Sequence, residues 1–168
     1  MSARLILAVS LTLGPTILAG CTQAVPTASE SSVQLAVVAG SDHGGRPFSE
    51  SMTREVRNTP VVYAGDPDGT GTALITINVG LGEVCWHTAV SDIALPATAS
   101  HIHHAAEGIL GDIVIVLTAP DITGEAVGCQ SDVDPALLRD ILQHPAEYYV
   151  NVHTTDFPSG AIRSQLER

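Results

Sequence analysis

Between positions 72 and 79 the chain alternates. Ala73, Ile75, Ile77 and Val79 fall on one face, and Thr72, Thr76 and Asn78 on the other. A period of two gives a strand one dry face and one wet face, and a helix of 3.6 residues per turn cannot use it. The pattern recurs in Val84, Trp86 and Val90, with Cys85 on the opposite face. Short strands are expected at 61–63, 99–104, 148–153 and 161–166, and the aliphatic run 113–117 is expected to form a deeply buried one. Turn chemistry separates them, in Gly65-Asp66-Pro67-Asp68-Gly69-Thr70-Gly71, Leu81-Gly82 and Pro158-Ser159-Gly160. One helix is signalled at 135–143. Asp134 can cap it, Pro135 suits its first turn, Leu137, Leu138, Ile141 and Leu142 give it an apolar face, and Pro145 stops it. The expected fold class is all-β, an antiparallel, Greek-key-like β-sandwich with one short helix.

The first 20 residues are set apart. Arg4 is the only charge before Glu30, and apolar runs follow at 5–9 and 11–18, broken by Gly14 and Pro15. This is the pattern of a signal peptide, too short and interrupted for a membrane-spanning helix, which needs about 20 apolar residues. Leu18-Ala19-Gly20-Cys21 resembles the lipobox of bacterial lipoproteins. That resemblance implies a diacylglycerol on Cys21, cleavage before it, and a chain anchored to a membrane on its extracytoplasmic side. Residues 21–57 read as the lipidated cysteine and a flexible tether. Thr, Ser, Ala and Pro dominate 22–32, 33–39 is a short apolar strand candidate, and little regular structure is expected over 41–57. A folded domain is expected over 58–168.

Charge narrows the partners. The formal net charge is −11, and all seven basic residues are arginine. A chain this acidic lacks the basic patch that nucleic acid requires. The expected partners are the membrane, through the lipid, and an envelope or extracellular protein. Of the three cysteines, lipidation would remove Cys21, leaving Cys85 and Cys129. In an oxidising compartment these can pair, closing a loop of about 44 residues with a contribution of roughly 4 kcal/mol in the chain-entropy model. Two buried free thiols are the alternative.

Three segments resemble the CHRD domain, found in the animal protein chordin and in many bacterial secreted proteins. The first is Ala99-Ser100-His101-Ile102-His103, with Gly108, Gly111 and the run at 113–117. The second is Gly128-Cys129 with Cys85-Trp86, as paired cysteines recur in bacterial members. The third and most specific runs from Tyr148-Tyr149-Val150-Asn151-Val152-His153-Thr154 to Phe157-Pro158-Ser159-Gly160-Ala161-Ile162-Arg163-Ser164-Gln165-Leu166. Asn151, Thr154, Pro158, Gly160, Arg163 and Gln165 are its motif residues. Ser164 departs from a family glycine, and His104 stands where a glycine often follows the histidine pair. The resemblance implies a β-sandwich module of extracellular proteins and no settled reaction.

His101 and His103, two apart on a strand, share a face, and His153 lies on another strand. Three such imidazoles could bind Cu or Zn, the only cofactors the sequence suggests. His87 is a further candidate ligand, and His104 points the other way. The set is similar in arrangement to the copper–zinc superoxide dismutases, with Arg163 in place of their arginine, a likeness of fold level only. The competing role is structural, with the rings bonded to carbonyls and to neighbours such as Asn151 or Thr154. Asp66-x-Asp68-Gly69 reads as a turn, because Ile77 stands where a calcium loop needs its last acid. No nucleophile elbow, phosphate loop or acid pair is present. The sequence therefore favours a cell-envelope binding or structural module over an enzyme, with edge strands or an exposed tyrosine as the contact surface. A copper- or zinc-binding protein, with redox chemistry as one use of the metal, is the alternative.

Overall fold

The computed structural model describes residues 45–58 and 62–168. The signal peptide, Cys21 and the strand candidate at 33–39 lie outside the described residues. The strands are β1 (Arg46–Arg54), β2 (Val56–Arg57), β3 (Tyr63–Ala64), β4 (Thr70–Asn78), β5 (Glu83–Ser91), β6 (Ala99–His104), β7 (Asp112–Leu117), β8 (Glu125–Gln130), β9 (Tyr148–His153) and β10 (Ile162–Gln165). Among the described residues one α-helix, α1, spans Pro135–Gln143, and a 3₁₀ turn follows at Pro145–Glu147.

Eight strands form one antiparallel sheet in the order β7-β6-β9-β10-β1-β4-β5-β8, and β2 pairs with β3 beside it. The sheet folds over on itself at β1. Most of β1 pairs with β4, from Arg46↔Ile77 to Met52↔Gly71, while its last residues pair with β10 at Thr53↔Arg163 and Arg54↔Ile162. One strand thus joins two four-stranded halves, and the expected mainly antiparallel sandwich with one short helix is what forms. Alternation drives the packing. Ile75 and Ile77 lie opposite Trp86 and Val84, and all four are buried with Ile102, Val150, Val152 and Ile162 of the other half. Leu138 and Ile141 of α1 join this core. The Asp134 carboxylate accepts the Ala136 N–H at 2.8 Å, satisfying one orphan donor of the helix N-terminus.

Cys85 and Cys129 stand opposite one another on β5 and β8 and form a disulfide. Trp86 and Gly128 are the next pair. A Cβ at 128 would lie 2.5 Å from the Trp86 ring, so the indole takes the place of a side chain there. At 66–69 the Asp66 carboxylate accepts the N–H groups of Asp68 and Gly69, the turn expected of those residues.

The structure corrects four expectations. Residues 46–57 are strands β1 and β2 rather than part of a tether, so the folded unit begins before 58. Phe48, Glu50 and Met52 point inward on β1, and the acid in the middle hides the alternation. Its carboxylate is accommodated by accepting the Glu167 N–H at 2.8 Å. Second, β7 is an edge strand rather than a deeply buried one, with Ile113 and Val116 exposed. Third, Tyr148 and Tyr149 do face opposite ways, yet both are buried, so neither is a contact surface. Fourth, of the expected strand at 61–63, Tyr63 is in a strand and Val62 is not, while 61 lies outside the described residues. Ser164 keeps its ladder position opposite Val150 despite the missing glycine.

Candidate functional site

The outer face of the β6-β9-β10 half carries a second, polar layer. Register puts His101 opposite Asn151, His103 opposite Tyr149 and Ala99 opposite His153 across β6 and β9. Arg163 and Gln165 continue the same face on β10. His101, His103 and His153 therefore converge, and one nitrogen from each lies within 4.8 Å of the others. The His101 Nδ1 and His153 Nε2 are 3.2 Å apart. Glu83, Cys85 and Cys129 also lie close together, but both of those sulfurs are in the disulfide.

Backbone carbonyls orient two of the rings. His103 donates its Nδ1–H to Gly111 O at 2.9 Å, and His153 donates its Nδ1–H to Pro158 O at 3.0 Å. A neutral imidazole protonated at Nδ1 keeps a lone pair at Nε2. The His153 Nε2 then accepts from the His101 Nδ1–H. Among the described residues the buried His103 Nε2 and Asn151 Oδ1 have no partner in hydrogen-bond geometry, although the Asn151 side chain lies close enough to both His101 and His103 to favour their charged forms.

All three rings are held neutral. Burial pushes His101 down to about 4, helped by the neighbouring His153 and His103 and weakly opposed by Asn151. Burial also lowers His103, against the Gly111 carbonyl that favours its charged form. His153 is lowered chiefly by burial and further by the Arg57 charge, with Pro158 O opposing.

Arginine and aromatic stacking fixes the cluster from beneath. The His103 ring stacks on Tyr149 at 4.7 Å, and the Arg163 guanidinium lies 3.2 Å from the Tyr149 ring centre. Arg163 donates to Ile109 O at 2.9 Å and to Ala106 O at 3.0 Å, tying down the loop that presents Gly111. It also donates to Gln165 Oε1 at 2.9 Å, and Gln165 Nε2 holds Ala105 O and Ala146 O. Thr154 is fully buried, and its hydroxyl accepts the Phe157 N–H at 3.1 Å, shaping the turn that delivers Pro158 O to His153. The motif residues of the last segment thus hold the histidines and their carbonyl partners in place.

Glu55, Arg57 and Tyr63 complete the layer, and sequence reasoning missed them. Glu55 is fully buried. It pairs with the Arg57 Nε at 3.2 Å, close enough for charge attraction without hydrogen-bond alignment, and accepts the Asn151 Nδ2–H at 3.3 Å. Arg57 sits 4.4 Å over the Tyr63 ring and donates to Ser159 O at 3.0 Å, while the Tyr63 hydroxyl donates to Gly160 O at 2.8 Å. The one sign of them in the sequence is the dense Arg54-Glu55-Val56-Arg57 charge alternation.

His87 is not part of the cluster. It lies on β5 in the other half, 3.7 Å from Glu125. His104 is exposed, stacks on Tyr148 and faces Glu147 at 3.5 Å.

An antiparallel sandwich with a cross-strand disulfide and an imidazole cluster in an outer polar layer defines a small β-sandwich module. The CHRD domain model matches residues 48–166, and the chain belongs to the CHRD domain family. That match takes in β1, which places the start of the family unit before 58. No curated protein and no solved structure matches the chain.

Proposed function

We propose that the chain is an exported cell-envelope protein, held to a membrane by lipid on Cys21, whose CHRD domain binds a protein outside the cytoplasm. The observation that carries this reading is the Cys85–Cys129 disulfide. Such bonds persist in oxidising compartments. Their pairing leaves Cys21 as the one remaining cysteine, directly behind a segment of signal-peptide character. Residues 21–44 would serve as the tether between lipid and domain. The reading is of binding rather than catalysis.

The edge of β7, unpaired among the described residues, is the favoured contact surface. Ile113 and Val116 are exposed on it, beside exposed Ile109 and Leu110. An open strand edge offers unpaired backbone groups, and apolar side chains along it suit an extended segment of a partner. The net charge of −11 fits protein contact better than nucleic acid.

Growth of cells with a clickable fatty acid tests the anchor. The wild-type chain should take up label and fractionate with membrane, and Cys21→Ser should lose both. Label retained in Cys21→Ser would overturn the reading.

A further inference from the structure

We propose that His101, His103 and His153 form a binding site for one Zn²⁺ or Cu²⁺ ion, held by three imidazole nitrogens with a further position facing solvent. The proposal is independent of the anchoring reading above, and either can fail without the other.

Distance comes first. Nitrogens bound at about 2.0–2.1 Å to one tetrahedral ion lie about 3.3 Å apart. The His101 Nδ1 and His153 Nε2 are already 3.2 Å apart, and the third nitrogen is within 4.8 Å of both. His101 is the ring with no carbonyl partner among the described residues, and its Nδ1 faces His153.

Orientation comes second. Metal-bound histidines commonly donate their other N–H to a carbonyl or carboxylate, which fixes the tautomer and aims the lone pair. Gly111 O and Pro158 O do this for His103 and His153. With Nδ1 committed in each ring, Nε2 is the nitrogen that each can offer to an ion.

The unsatisfied atom comes third. A purely architectural role accounts for the His101–His153 contact, but among the described residues the buried His103 Nε2 meets no partner in hydrogen-bond geometry, with the Asn151 side chain only close by. Buried polar atoms are normally satisfied, and a metal ion in this space would satisfy this one. In the metal-free cluster the His101 Nδ1–H is donated to His153 Nε2, so binding an ion shifts that proton to the His101 Nε2 and frees both facing nitrogens.

Donor chemistry selects the ion. Neutral imidazole nitrogens suit Zn²⁺ and Cu²⁺, and Cu²⁺ binds the tighter of the two in the usual order of divalent metals. His101 and His153 are only half-buried, so water or a small ligand can reach the ion.

The test uses the full chain without a histidine tag, extracted in mild detergent, stripped with a chelator and titrated with Zn²⁺ and Cu²⁺ by calorimetry. One equivalent of each should bind, with Cu²⁺ displacing Zn²⁺. His101→Ala/His153→Ala should weaken binding at least 100-fold, and His104→Ala should not change it. No binding by the wild type, or equal binding by the folded double variant, overturns the proposal. If the double variant fails to fold, the Cu²⁺ electron paramagnetic resonance spectrum of the wild type decides. Splitting from three imidazole nitrogens supports the site, and an oxygen-dominated signal overturns it.

Discussion

The Glu55 carboxylate fills the space that a side chain at Gly160 would need. A Cβ built at 160 would overlap Glu55 Oε2, and Gly160 has φ of +128°, which residues with a side chain rarely adopt. A segment just after β1 and a turn near the chain's end are thereby locked together. Gly160→Ala combines backbone strain with the displacement of a buried charge, and should destabilise the domain by about 3 kcal/mol or more. Chemical denaturation checks this. A loss under about 1 kcal/mol would mean that Glu55 moves aside freely.

The charge state of Glu55 gives a pH dependence. Burial raises its pKa above the ordinary 4.5, outweighing Asn151, Arg57 and Arg163. A carboxyl raised on folding contributes stability that is fully present below its unfolded pKa and is lost as pH rises through the folded value. The stability advantage of wild type over Glu55→Gln should therefore be greatest near pH 4 and shrink toward pH 8. An ordinary exposed salt bridge would show the reverse. Thermal unfolding of both proteins across that range decides between them.

Much of the sandwich is legible in the sequence because a strand with one wet face alternates. β4 and β5 show it directly, whereas β9 is buried on both faces under the outer polar layer. β1 does not, since Glu50 occupies an inward position that only the Glu167 N–H makes tolerable. β8 inverts the signal: its inward residues are Ala126 and Gly128, while Val127 is exposed. The edge position of β7 is a property of topology, invisible in an aliphatic run. Within the site, period two puts His101 and His103 on one face. The partners that orient the rings are the backbone carbonyls of Gly111 and Pro158, and a carbonyl has no residue signature.

Removal of the disulfide should weaken the domain without abolishing its strands. Cys85 and Cys129 are 44 residues apart in sequence. The chain-entropy model gives a loss of up to about 4 kcal/mol for a loop of that size. Cys85→Ser/Cys129→Ser should unfold at lower denaturant with its far-ultraviolet circular dichroism spectrum retained beforehand. Unchanged stability would contradict the prediction.

Arg163→Lys should loosen the loop that orients His103. Lysine keeps the charge but cannot reach Ala106 O, Ile109 O and Gln165 Oε1 at once while lying flat on Tyr149. A cost of about 1–3 kcal/mol is expected. Hydrogen exchange should quicken at Gly111, whose N–H meets the Tyr149 hydroxyl. Exchange at Gly111 unchanged from wild type would show that Arg163 does not hold the loop.

The central claim is that the outer polar layer holds His103 and His153 neutral, each donating its Nδ1–H to a backbone carbonyl and keeping its lone pair on Nε2. A long-range proton–nitrogen correlation spectrum of the metal-free full chain at pH 7 reads each ring's protonation directly. His103 and His153 should be neutral with the proton on Nδ1. Protonation of either ring at Nε2, as a cation or as the opposite tautomer, would contradict the account.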